Sequence, residues 1–112
     1  MTPYQKKMWE AYVAADLAHS QALEKSNAAI TAYDTACREC TIKEGHYRTA
    51  LRENAEPENL AQASEAWGEA ELAVHICNEA KKHAQILVEE THSNLSVAGD
   101  DWITARNGEI DG

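Results

Sequence analysis

The chain contains no phenylalanine, two prolines and five glycines in 112 residues, and three of the glycines fall within the last 14. Little therefore interrupts a helix between residues 1 and 98 beyond Gly45, Pro57 and Gly68. That pattern is all-α. No apolar run approaches the ~20 residues of a membrane span. The opening stretch, MTPYQKKMWE, lacks the apolar segment and small-residue cleavage site of a signal peptide. Three cysteines make an odd number with no disulfide framework to read, so a reducing, cytoplasmic setting is expected. The 44% apolar fraction is largely alanine, which points to a narrow seam in place of a thick core.

Chemistry is scarce as well. There is no glycine-rich phosphate loop and no His-Glu-x-x-His pattern. Cys37 and Cys40 share a helical face, and a hairpin would bring Cys77 within roughly a turn of them. A fourth ligand for a tetrahedral metal is missing. His75 lies two residues from Cys77, about 200° around a helix, and His46 points well away from the other two thiols. The expectation is that the cysteines are buried in the seam as small apolar fillers, with no metal and no cofactor. None of the five histidines (19, 46, 75, 83 and 92) has a nucleophile-bearing loop beside it, so no catalytic residue is assigned and the chain is not read as an enzyme.

What the sequence does contain is helical periodicity. Thr2-Pro3-Tyr4-Gln5 fits a capping box, with Thr2 as N-cap and Gln5 reaching back. Two stripes follow at steps of three and four. One is small, with Met8, Ala11, Ala15, Ala18, Ala22, Ala29 and Ala36. The other is larger, with Leu23, Ile30, Tyr33, Cys37, Cys40, Tyr47 and Leu51. Pro57 in NAEPEN cannot continue that helix but suits the start of another. Beyond it, Leu60, Trp67, Val74, Val88 and Leu95 alternate with Ala63, Ala70, Cys77, Ala84 and Thr91, and Lys81 interrupts the first row.

The expected fold is a long antiparallel helical hairpin, coiled-coil-like, with helix 1 over about 3–53, a turn at 54–56 and helix 2 over about 57–96. A break at Gly45 would instead give three helices. Pairing outward from the turn sets Leu51 level with Leu60, Glu44 near Trp67, Cys37 near Val74 and Trp9 level with Trp102. Residues 99–112 are read as a tail with a short helical turn at 100–106, closed by Gly108 and folded back over the N-terminal aromatics, with EIDG frayed. Tyr4, Met8, Trp9, Tyr12, Trp102 and Ile103 are the candidate tail or oligomer interface. One hairpin leaves a second apolar stripe uncovered, so dimerisation into a four-helix bundle is expected.

The formal charge of −9 is uneven. Residues 1–52 carry seven basic and six acidic side chains; residues 53–112 carry three and thirteen. Glu58, Glu65, Glu69 and Glu71 head an acidic stretch that would repel nucleic acid and anionic lipid and attract a basic protein surface. The expected function is a non-enzymatic protein-interaction module. It would be a small acidic antagonist, of the kind encoded by phages and mobile elements, that occupies a basic and possibly nucleic-acid-binding surface of a partner. The alternative is an assembly subunit that oligomerises through its apolar stripes. Neither reading involves direct nucleic-acid or membrane binding.

Overall fold

In the computed structural model of the chain, the backbone is described from Met1 to Asp111 and the side chains from Met1 to Gly108. Two helices joined by a short turn make up an α-helical hairpin: α1 spans Pro3–Arg52 and α2 spans Pro57–Asp111. The described residues contain no strand.

Local chemistry sets the ends of α1. Thr2 N–H donates to Gln5 Oε1 at 2.9 Å, and Gln5 N–H donates to Thr2 Oγ1 at 3.1 Å. This reciprocal capping box satisfies two donors that the first turn leaves without helical partners. At the other end Asn54 adopts a left-handed backbone, with φ of 53°. Its N–H bonds the Leu51 carbonyl at 3.2 Å, and Ala55 N–H bonds the Ala50 carbonyl at 3.0 Å. That pair of bonds is a Schellman closure, with asparagine in the position glycine usually takes. Glu56 then accepts the first bond of α2 from Leu60 N–H, and Pro57 occupies the first helical position, where a missing N–H costs nothing.

The hairpin divides into two compact units. The terminal unit joins Met1–Ser26 to Ala84–Gly112, and the turn unit is Asn27–His83. In the terminal unit the covered positions of α1 are Gln5, Met8, Tyr12, Ala15, His19, Ala22 and Ser26, at alternating steps of three and four. They face Ala84, Val88, Thr91, Leu95, Ala98, Trp102 and Ala105, spaced the same way. Gln5 Nε2 donates to the Ala105 carbonyl at 3.2 Å, and His19 Nδ1 lies 3.1 Å from Thr91 Oγ1. These two contacts fix a register that sets Ala15 level with Leu95 and Ala22 level with Val88. Small faces large. In the turn unit the same spacing covers Ala29, Tyr33, Ala36, Cys40, Lys43, Tyr47 and Ala50 on α1. Tyr47 stacks obliquely on Trp67 with ring centroids 5.6 Å apart.

Three expectations need correction. The second helix does not stop near Ser96, and residues 100–106 are not a separate turn folded back. Instead α2 runs through Gly99 and Gly108 to Asp111. Ala98, Trp102 and Ala105 extend the seam rows of α2 by almost three turns beyond Leu95, and their contacts offset the ~1 kcal/mol that an interior glycine costs. The frayed EIDG falls at the edge of the described residues: the helix includes Glu109–Asp111, and Gly112 lies outside.

The α1 stripes also shift. Leu23, Ile30 and Leu51 are 43%, 38% and 48% exposed, while Gln5, Ser26 and Ala22 are buried. Leu23 and Ile30 follow the seam residues Ala22 and Ala29 by one position, which turns them about 100° to its flank. Ala11 and Ala18 are exposed for the mirror-image reason. Tyr47 is the aromatic partner of Trp67, and Glu44 pairs with Arg48 at 2.8 Å. Gly45 sits inside an unbroken α1 with open space around its Cα.

Candidate interaction surfaces

The core is thin. Its buried apolar residues are Ala22, Ala36 and Ala105, its buried polar ones are Gln5, Ser26 and Thr91, and no large side chain is fully buried among the described residues. Among the described residues fourteen large apolar side chains are exposed, more than the seam itself encloses. Apolar side chains exposed next to one another on a face, and not singly, mark interaction sites. The outward faces are therefore where binding chemistry has to be sought.

The candidate acidic residues of α2, Glu58, Glu65, Glu69 and Glu71, lie in the turn unit and are all exposed. None forms an ion pair among the described residues, whereas Glu10, Glu44 and Glu79 do. Glu58, Gln62, Glu65 and Glu69 follow one another at steps of four and three, which aligns them along the outer side of α2. Glu71 lies about 160° around the helix from Glu69 and does not share that line.

The line continues beyond the acids. Leu72 and Ile76 are the next two positions at the same spacing, each 59% exposed. Sequence reasoning stopped at the carboxylates and missed this pair. The signal was available in the unbroken alternation of steps through 58, 62, 65, 69, 72 and 76. The result is one outward stripe that is acidic over its first three turns and aliphatic over its last.

The N-terminal aromatics belong to the terminal unit. Trp9 packs on Trp102 at 5.2 Å between centroids and on Tyr12 at 5.8 Å. Tyr12 in turn approaches Gly99, where an added Cβ would lie 3.6 Å from its ring. Met8 is half-buried beside them, whereas Tyr4 and Ile103 are 60% and 48% exposed. The aromatic cluster thus packs α1 against α2, with Trp9 itself still 41% exposed.

Polar groups on the seam are satisfied structurally. Thr91 Oγ1 lies 2.8 Å from the Leu87 carbonyl and 3.1 Å from that of Val88, so its single hydrogen is directed at the helix backbone. It must then accept from His19, which places the hydrogen on Nδ1 of that ring. His92 stacks against His19 with centroids 5.5 Å apart.

In the turn unit, Lys81 occupies a seam position and places Nζ 4.1 Å above the Tyr33 ring, a cation–π contact that accounts for a charge in an apolar row. The Tyr33 phenol is held above its ordinary range. Its hydrogen bond with Cys37 is the first cause, followed by the charge on Cys37, desolvation and the nearby Asp34. All three cysteines are free and half-buried. No cluster of three or more His, Cys, Asp or Glu side chains among the described residues has metal-binding geometry. No described helix is long and apolar enough to cross a membrane.

Comparison with protein-family models, with curated proteins and with solved structures gives no match for this chain.

Proposed function

We propose that this chain is a non-enzymatic protein-interaction module, and that the outer stripe of α2 from Glu58 to Ile76 is its recognition surface. The observation that carries this reading is the join between unpaired carboxylates and exposed aliphatics on one helix face. Glu58, Glu65 and Glu69 lack internal cations, while Leu72 and Ile76 point away from the seam. A solvated helix face would need the first group but not the second. The complementary partner is a protein with a basic surface beside an apolar depression, and the acids steer and orient while the aliphatics supply burial. By occupying such a surface the module acts as an antagonist, displacing whatever anion the partner normally holds.

The test is co-purification from a candidate host lysate with three baits: the unaltered chain, Glu58→Gln/Glu65→Gln/Glu69→Gln, and Leu72→Ser/Ile76→Ser. Each altered bait should lose the same basic protein, and the unaltered chain should lose it as salt rises. Retention of that protein by the triple glutamine variant rejects the reading.

A second reading, an assembly subunit, is favoured by the apolar residues away from that stripe. Leu17 and Val97 in the terminal unit are 58% and 61% exposed. Association through such residues needs no second protein and shows as self-association of the purified chain, which separates it from the acidic-stripe reading.

A further inference from the structure

One face of the terminal unit is uncovered, and its charges are sorted by helix. Met8 and Ala11 of α1, with Asn94, Val97, Ala98 and Asp101 of α2, line an open groove of about 210 Å³. Steps of three and four from Ala11 place Lys7, Ala14, Ala18 and Lys25 on the same edge of α1. Equal steps from Val97 place Leu87, Glu90 and Asp101 on the facing edge of α2. The α1 edge therefore bears only basic charge, at Lys7 and Lys25, and the α2 edge only acidic charge, at Glu90 and Asp101. All four are exposed, and none is in an ion pair among the described residues.

We infer that a second copy of this chain docks on this face about a two-fold axis parallel to the helices, with α1 of each copy against α2 of the other. The charge pattern selects both the occupant and the axis. A two-fold axis perpendicular to the helices sets α1 on α1 and α2 on α2, bringing lysines to lysines and carboxylates to carboxylates. The parallel axis sets each basic edge on an acidic one, and it forms every ion pair twice.

It also preserves levels. The Gln5–Ala105 and His19–Thr91 contacts define which residues share a height within one chain, and a parallel axis carries those heights to the partner copy. Lys7 then falls ~3 Å of axial rise from Asp101 of the other copy, and Lys25 ~8 Å from Glu90, separations that two extended side chains span. Ala11, Ala14 and Ala18 let the backbones approach, while Val97 and Leu87 supply apolar area. All neighbouring helices in the resulting four-helix arrangement are antiparallel. The inference rests on the assembly reading and is independent of the acidic stripe, which lies in the turn unit.

Sedimentation of the full chain at about 1 to 200 µM tests it. The unaltered chain should reach a dimer mass in this range. Lys7→Glu/Lys25→Glu should weaken dimerisation at least about tenfold. Adding Glu90→Lys/Asp101→Lys to that variant should restore it, since the edges are then exchanged in sign. Ala14→Arg should weaken it without loss of helical circular dichroism, because Ala14 is exposed in the chain. A monomer at every concentration overturns the inference and the assembly reading together. A dimer indifferent to both charge reversal and Ala14→Arg overturns this face alone and leaves assembly standing. Weakening without rescue by the exchanged charges overturns the parallel axis.

Discussion

The continuation of α2 past Gly99 depends on Trp102, and Trp102→Ala measures by how much. The tryptophan is half-buried and packs on Trp9 at 5.2 Å. An indole side chain buries roughly 200 Å² when covered, and about three quarters of that is a reasonable share here. At ~25 cal/mol per Å² this amounts to about 4 kcal/mol as an upper bound, since the unfolded chain already hides part of that area. Alanine recovers about 0.5 kcal/mol of helix propensity. The expected loss is therefore roughly 2–3 kcal/mol, at or just below the bottom of the ~3–5 kcal/mol range for truncation of a fully buried aromatic. Urea denaturation followed by far-ultraviolet circular dichroism gives the value, and hydrogen exchange shows where it falls. Amides of residues 98–106 should lose protection first. The control is Ile103→Ala, whose target is 48% exposed on the adjacent position and should cost under about 1 kcal/mol. A double-mutant cycle with Trp9→Ala should return a coupling of about 0.5–1.5 kcal/mol. If Trp102→Ala is no worse than Ile103→Ala, or if the two tryptophans show no coupling, the account of this helix end is wrong.

Two further outcomes follow from the seam. Ala22→Leu inserts a branched side chain at a position only 1% exposed and should cost about 1–3 kcal/mol in chemical denaturation, whereas Ala28→Leu, at an exposed position outside the inferred dimer face, should change stability by less than about 0.5 kcal/mol. The raised Tyr33 phenol predicts an alkaline dependence. Its folded form holds the proton above the ordinary value of 10.0, so its contribution is fully present below that pH and is lost as pH rises through the folded value. Tyr33→Phe should remove this component and flatten the alkaline limb of stability against pH, and an unchanged limb would show that the Cys37 hydrogen bond has no part in it.

The fold class and the turn could be read from the sequence because they rest on local chemistry. Thr2 and Gln5 cap because their spacing allows it, and Pro57 starts a helix because its ring permits nothing before it. The rows of α2 were legible up to Leu95 because large residues mark one of them. Beyond that point Gly99 suggested a stop, and the regular positions of Ala98, Trp102 and Ala105 were read as a tail. The α1 seam was harder. Leucine and isoleucine carry the strongest apolar signal, yet Leu23 and Ile30 lie beside the seam, while glutamine, histidine and serine lie in it. Hydrophobicity alone could not reveal this, because what qualifies Gln5 and His19 is a partner on the other helix. The same limit affected the outer stripe: the carboxylates announced themselves, but the exposure of Leu72 and Ile76 depends on which side of α2 faces α1.

Those seam polar groups also explain how an alanine-rich hairpin keeps one register. One covered row of α2 in the terminal unit reads Ala84, Thr91, Ala98, Ala105, so along that row a slip of seven residues would replace alanine by alanine at most contacts, and alignment is held by Thr91 there and by Trp102 in the neighbouring row. Thr91 is the exception. Displaced by seven, His19 would face an alanine and lose the Thr91 hydroxyl. An unmet buried polar group costs about 1–3 kcal/mol, which adds to the loss of the Trp9–Trp102 contact in the shifted register. The Schellman closure at Asn54 adds a second constraint, since lengthening or shortening the turn would break its bonds to Ala50 and Leu51. A polar seam position that fixes alignment at some expense of stability is an established device in paired helices. Here it has a further consequence. With alanine and polar groups filling the seam, the large aliphatics are left on the outside, so the hairpin gains its remaining burial only when another surface covers them.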